Sequence, residues 1–272
     1  MFQTSQPVFL SGLTRNASLK RWCPIILIPS PFARSEKSEG PGIEHITCPF
    51  CKTEKVSEFF HDKRRDYMRC QVCSLVFVLS WQFISAEEEK SRYDLHRNSP
   101  EDQGYRSFLN RIFIPMQKCL TPASCGLDFG SGPVPTLSLM FEEAGHPMTI
   151  FDYFYEHAPS VFGRQYDFIT ATEVVEHLHK PKEELERLWA CLKQGGRLGI
   201  MTKLTPDTTD AFLNWHYKND STHVCFFSQR TFQWLALQWD AEMIFADEDV
   251  VLFHKTTASS GQCLAAVCEI SE

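Results

Sequence analysis

Apolar positions between residues 126 and 201 come in short runs separated by polar or glycine-bearing segments. The runs are Gly126-Leu127-Asp128-Phe129, Thr149-Ile150-Phe151, Tyr166-Asp167-Phe168-Ile169-Thr170-Ala171 and Arg197-Leu198-Gly199-Ile200-Met201-Thr202. Such runs predict successive parallel strands. Helical patterns alternate with them: residues 136–145 end at Gly145, and Pro181 opens a helix with Leu185, Leu188, Trp189 and Leu192 on one side, closed at Gly195-Gly196. Upstream, Ser85-Ala86-Glu87-Glu88 reads as a capping box for a helix running to about residue 96, broken at Asn98-Ser99-Pro100. A second helix follows, with Tyr105, Phe108, Leu109, Ile112, Phe113 and Met116 on one face. Downstream, residues 203–227 form a long connection, Ser228 caps a helix through Phe232 and Leu235, and residues 241–245 and 250–254 read as paired strands. The pattern predicts an α/β fold with helices on both faces of the sheet. From Asp152 to Tyr166 there are too few residues for a full helix and another strand.

The first strand ends in Asp128-Phe129-Gly130-Ser131-Gly132, where glycine permits unusual dihedrals and lets a ligand approach bare backbone. The next strand delivers Asp152, where an acid can accept hydrogen bonds from ribose hydroxyls. The third glycine of a dinucleotide fingerprint is replaced by Pro135, which argues against a nicotinamide cofactor. Asp-x-Gly-x-Gly, the acid after the second strand, and Tyr166-Asp167-Phe168-Ile169 leading into Glu173-Val174-Val175-Glu176-His177 resemble the class I methyltransferases that use S-adenosylmethionine. Within that group the likeness is to the ubiquinone-biosynthesis O-methyltransferase type and covers roughly residues 119–255. The resemblance implies a Rossmann-like sheet and S-adenosyl-L-methionine held by Asp128, Gly130, Gly132 and Asp152, with Thr172, Glu173 and Tyr105 beside it. Tyr93-Asp94-Leu95-His96-Arg97-Asn98 followed by Pro100-Glu101-Asp102-Gln103-Gly104-Tyr105 is also similar to a group of bacterial methyltransferases that carry a zinc ribbon. The two helices are accordingly expected to lie over the crevice as a lid, with Tyr93, His96 and Tyr105 placed to line it.

Four of the eleven cysteines form two Cys-x-x-Cys pairs, Cys48/Cys51 and Cys70/Cys73, eighteen residues apart. That spacing predicts a closed, structural zinc site in a ribbon rather than a disulfide framework, and a reducing compartment. Between the knuckles, His61-Asp62-Lys63-Arg64-Arg65-Asp66 reads as a solvated hairpin tip or as a grip for an anionic substrate. The chain of 272 residues carries a net charge of -7, which does not suggest a general polyanion binder. No run is long or clean enough for a transmembrane helix, and the expected location is cytoplasmic. The expected organisation is a disordered tail at 1–44, a zinc ribbon at 45–79, a helical lid at 80–118 and a methyltransferase domain at 119–272.

If a helix starts at Glu173, its spacing groups Glu173, Glu176 and His177 on one face, and His223 lies in the long connection. Two carboxylates and two imidazoles can hold a divalent cation with open positions. The motif resembles metal sites of small-RNA 2′-O-methyltransferases and of the ubiquinone type, by which Glu173, Glu176, His177 and His223 would bind Mg²⁺. In the alternatives, His177 or His223 is a general base without metal, with Glu173 assisting, or the group is structural. The expected activity is methyl transfer to an oxygen of a small-molecule acceptor. The rivals are an RNA methyltransferase whose ribbon contacts RNA, and a non-catalytic nucleotide-sensing module.

Overall fold

A computed structural model describes residues 46–95 and 98–256. The expected tail and His96 lie outside the described residues. In chain order the elements are β1 (Val56–His61), β2 (Asp66–Cys70), β3 (Val76–Val78), α1 (Ala86–Tyr93), α2 (Gln103–Gln117), β4 (Gly126–Phe129), α3 (Thr136–Glu143), β5 (Met148–Phe151) and β6 (Tyr166–Thr172). They continue with α4 (Pro181–Ala190), β7 (Leu192–Met201), α5 (Thr209–Leu213), β8 (Cys225–Phe226), α6 (Gln229–Trp239), β9 (Glu242–Asp247) and β10 (Val250–His254).

Six strands form the main sheet in the order β5-β4-β6-β7-β10-β9. The first four run parallel, and β10 lies antiparallel between β7 and β9. Residues 153–165 hold a turn closed by an Asp152–Glu156 bridge and a 3₁₀ turn at Pro159–Gly163, and among the described residues no further strand extends the sheet beyond β5. Period-two alternation sends Ile169, Leu198, Ile200, Val251 and Phe253 to one face, where α4 and α6 pack. Phe168, Met201, Val250 and Leu252 go to the other, against Leu109, Ile112 and Met116 of α2 and Leu137, Met140 and Phe141 of α3. This is an α/β Rossmann-like architecture with helices on both faces.

Local expectations differ at three places. The helix after Pro181 ends at Ala190, and β7 begins at Leu192, upstream of Gly195-Gly196; Gly195, at φ 77°, bends within the strand. Ser85 caps α1 by accepting from the Glu88 N–H at 3.2 Å, but the Glu88 carboxylate turns to Arg92 instead of reaching back. Glu173-Val174-Val175-Glu176-His177 does not start a helix: Glu173 sits at φ 52°, and only residues Val175–His177 form a 3₁₀ turn.

The cysteine-bearing hairpins form a second sheet, β1-β2-β3-β8, whose last strand comes from the long connection. Val76 pairs with Phe226 and Phe77 with Cys225. Phe50 packs edge-on against Phe227 and Trp234, at ring centroid separations of 5.7 Å and 5.4 Å. The two sheets therefore share one hydrophobic cluster. No helix among the described residues is long and apolar enough to cross a membrane.

Candidate functional site

A cavity of about 760 Å³ opens at the C-terminal ends of β4, β5 and β6, roofed by α1 and the start of α2. At one end lie Gly130, Ser131, Gly132, Asp152 and Thr172, and at the other Glu176, His177, Asp220 and His223. Tyr93, Tyr105, Phe108 and Phe154 also line it.

The glycine turn is built for close approach. Gly130 stands at φ 77°, and a Cβ there would lie 2.3 Å from Val174 Cγ2. Its N–H donates to the Phe151 carbonyl at 2.7 Å, clamping the turn onto β5. Gly132, at φ 66°, has nothing within 4 Å of where a Cβ would sit. Its N–H donates to Asp152 Oδ2 at 3.0 Å, while Asp152 Oδ1 accepts from the N–H groups of Phe154 at 2.8 Å and Tyr155 at 3.1 Å. Three backbone donors thus fix the Asp152 carboxylate in the cavity wall. Asp128 is placed elsewhere. It is buried, does not line the cavity, and accepts from Thr170 Oγ1 at 2.8 Å and Ser138 Oγ at 3.1 Å. Burial raises its pKa to about 6. Its visible role is to tie β4 to β6 and α3.

Ser131 Oγ, Thr172 Oγ1 and Glu173 Oε1 are buried, border the cavity and have no protein partner. Buried polar atoms are rarely left so. Their convergence on a cavity fits a polar, nucleoside-like ligand held along this wall.

At the opposite end Glu176 is fully buried. Its Oε1 accepts from the Tyr217 hydroxyl, and its Oε2 from Thr202 Oγ1 at 2.9 Å. Tyr217 also lies 3.2 Å from Glu173 Oε2. Burial, and for Glu176 the adjacent Glu173 charge, pushes both carboxyls above their usual range, so the pair holds a proton near neutral pH. The αL conformation of Glu173, unusual for a residue with a side chain, turns its carboxyl toward Tyr217.

The two imidazoles have fixed tautomers. A carbonyl only accepts, so His177 Nδ1–H donates to the Thr222 carbonyl at 3.2 Å and His223 Nδ1–H to the Tyr217 carbonyl at 2.8 Å. In a neutral ring so bonded the lone pair sits on Nε2. The rings are 4.7 Å apart, and Tyr93 meets His177 edge-on at 5.3 Å. Burial lowers the His223 pKa to about 4, leaving it neutral at physiological pH. Ligand atoms of Glu176, His177 and His223 lie within 4.8 Å of one another; Glu173 is not among them. The structure thus brings together three of the four residues expected at a cation.

The four knuckle sulfurs also lie within 4.8 Å of one another, with Cys48–Cys73 at 3.6 Å and Cys51–Cys70 at 3.3 Å. Thiolates about 2.3 Å from a tetrahedral zinc would sit ~3.8 Å apart, so the donor set fits zinc. The knuckles repeat one geometry: Lys52 at φ 62° donates to the Cys48 carbonyl, and Ser74 at φ 61° to that of Cys70.

Tyr217, Thr202, Asp220 and Glu89 were not singled out by sequence. Tyr217 and Asp220 lie in the long connection beside His223, which was a usable signal. Glu89 is hidden in the acidic run of α1, yet it is buried and accepts from the Tyr93 hydroxyl at 2.7 Å.

Residues 93–244 match the family described as "Methyltransferase domain". No curated protein matches the chain significantly. Among solved structures, the 1,6-didemethyltoxoflavin-N1-methyltransferase of Burkholderia thailandensis is 14% identical, with 74% of this chain and 99% of that one covered at a TM-score of 0.42. The YcgJ protein of Bacillus subtilis is 15% identical, with 50% and 69% covered at 0.37. Neither value is high enough to carry function across. The family match spans more than half the chain and includes the glycine turn, Asp152 and the Glu/His cluster, and the chain belongs to the methyltransferase-domain family as an S-adenosylmethionine-dependent methyltransferase.

Proposed function

We propose that this enzyme methylates an oxygen of a small, hydroxyl-bearing aromatic acceptor. The observation that carries the reading is a single cavity joining a nucleoside-type wall to a buried Glu/His/Tyr cluster. Gly130, Gly132, Asp152 and Thr172 would hold S-adenosylmethionine, which supplies an electrophilic methyl group on a sulfonium. The aromatic faces of Tyr93, Tyr105, Phe108 and Phe154 suit a flat acceptor. His223, kept neutral with its Nε2 lone pair available, would accept the hydroxyl proton. Glu173, Glu176 and Tyr217 would buffer the charge that appears on the imidazole.

A divalent cation such as Mg²⁺ is a second reading of the same cluster. It would be held by Glu176, His177 and His223, and the Nδ1–H donations to carbonyls are the usual orientation of metal-ligating histidines. A cation there lowers the pKa of a bound hydroxyl. Zinc in the Cys48, Cys51, Cys70 and Cys73 set would be structural.

RNA is the weaker acceptor. The cavity is lined by Glu89, Asp152, Glu173, Glu176, Glu184 and Asp220 against Lys180, a poor lining for a polyanion.

Calorimetric titration with S-adenosylhomocysteine tests the cofactor end. Micromolar affinity is expected, weakened more than about tenfold by Asp152→Ala, which removes the carboxylate fixed in the cavity wall. Absence of binding by a folded, zinc-loaded chain would refute the reading. A panel of catechols and phenols, assayed with and without Mg²⁺, then separates the two roles of the cluster.

A further inference from the structure

Arg65 comes from the basic run at the hairpin tip, yet it is buried, unlike its exposed neighbours Lys63 and Arg64. Its guanidinium does not point to solvent or to a carboxylate. Nη1 donates to the His223 carbonyl at 2.8 Å and the Ser221 carbonyl at 3.4 Å. Nη2 donates to the Lys218 carbonyl and to that of Asp220 at 2.8 Å. Nε donates to the Tyr67 hydroxyl at 3.2 Å. The two Nη groups thus spend four hydrogen bonds on one short stretch of backbone while Nε holds Tyr67, a task for which arginine's planar fork is suited and lysine is not.

That stretch carries Tyr217, Asp220 and His223. The grip is returned from the other side: Lys218, itself buried, reaches Asp62 Oδ2 at 3.4 Å. The next residues are fixed by the Val78 N–H to the Val224 carbonyl at 2.9 Å and by the Val224 N–H to the Glu176 carbonyl at 2.8 Å. A continuous set of backbone tethers therefore runs from the ribbon to the Glu/His motif.

We propose that Arg65 is a positioning residue for the acceptor end of the site: from the ribbon it holds the backbone of residues 217–223 so that Tyr217 meets the Glu173–Glu176 pair and His223 faces the cavity. The ribbon is then a part of the active site rather than a separate docking module. The proposal rests on the reading of this cavity as the methyl-transfer site.

The test uses the full-length, zinc-loaded chain with Arg65→Met, Arg65→Lys and, as a control on the exposed tip, Arg64→Met. In Arg65→Met, amide exchange over 217–224 is expected to rise at least about tenfold, since carbonyls held by a charged donor lose it. On an acceptor from the phenol panel, kcat should fall about tenfold or more, while KM for S-adenosylmethionine and the Kd for S-adenosylhomocysteine stay within about twofold. Arg65→Lys should recover part of the kcat and of the protection, and Arg64→Met should match wild type. Unchanged exchange and kcat in Arg65→Met would overturn the proposal, and so would equal losses in Arg65→Met and Arg64→Met, which indicate an exposed basic grip. If Arg65→Met loses zinc or cooperative unfolding, Lys218→Met carries the test from the other side of the clasp, with the same selective exchange gain expected and uniform exchange overturning it. A wild type that binds S-adenosylhomocysteine but methylates nothing in the panel would sink the acceptor assignment alone, because the exchange readout still decides the role of Arg65.

Discussion

Asp128 offers a quantitative check on where the cofactor site begins. By sequence it belongs to the cofactor loop; by structure it is a buried tie between β4, β6 and α3. Burial raises its pKa from 3.8 to about 6 in the folded state. Each tenfold change in proton affinity is worth about 1.4 kcal/mol, so at pH 8 the ionised carboxylate costs the native state roughly 3 kcal/mol relative to the unfolded chain. Because the folded pKa is the raised one, the native state gains a proton first as pH falls. The cost shrinks below about pH 6, to roughly 1.5 kcal/mol at pH 5, and vanishes below the unfolded value. Asn at this position is isosteric and carries no charge. Its oxygen can accept from Thr170, and its amide can donate to the rotatable Ser138 hydroxyl. Asp128→Asn should therefore be more stable than wild type by about 1–3 kcal/mol at pH 8, with the advantage falling by about half at pH 5. Urea denaturation of both proteins at the two pH values measures it. Affinity for S-adenosylhomocysteine should stay within about threefold, because Asp128 does not line the cavity. A less stable Asp128→Asn at pH 8, or a loss of affinity beyond about tenfold, would refute this placement.

Gly130→Ala should destabilise the chain by about 2–4 kcal/mol and abolish S-adenosylhomocysteine binding, because the new methyl meets Val174 at a positive φ; Val174→Ala in the same chain should relieve the overlap but not the backbone strain, as thermal melts will show. Tyr217→Phe removes the donor that favours the ionised Glu173–Glu176 pair, so the pair should hold its proton to higher pH, and the rising limb of the kcat profile should move upward; an unmoved limb would exclude the pair from the reaction. Stripping zinc with a chelator should lower the melting temperature by at least about 10 °C and abolish transfer together with the dichroism of the ribbon sheet, because β3 and β8 share that sheet; retained activity in a metal-free chain would contradict the shared core.

The parallel strands and their helices were legible because Phe168, Ile169, Leu198 and Ile200 alternate in runs that only a sheet covered on both sides can bury. The glycine turn and Asp152 were legible because their backbone conformation and spacing are local properties. The cluster was half legible. Glu173-Val174-Val175-Glu176-His177 looks like a helix start, but Glu173 leaves helical space, a tertiary choice imposed by Tyr217 and by its own N–H bond to Met201. Asp128 was misplaced because a motif letter does not say whether the side chain at the end of a strand points outward or into the neighbouring strand. Arg65 was not separable from Lys63 and Arg64, since only a loop more than 150 residues away distinguishes them.

The pairing of Val76 with Phe226 also sets an order of events during folding. The four cysteines between residues 48 and 73 could close on a metal ion as soon as that stretch leaves the ribosome, because both pairs are near in the chain. The fourth strand of that sheet is made last, after the entire parallel sheet up to β7 has been synthesised. Until then β3 offers an open edge and an uncovered apolar face, the kind of surface that chaperones hold and that seeds misassembly. The rate-limiting step for this chain is therefore expected to be a long-range closure that completes the ribbon and the acceptor end together, so that partly folded molecules are metal-loaded but inactive.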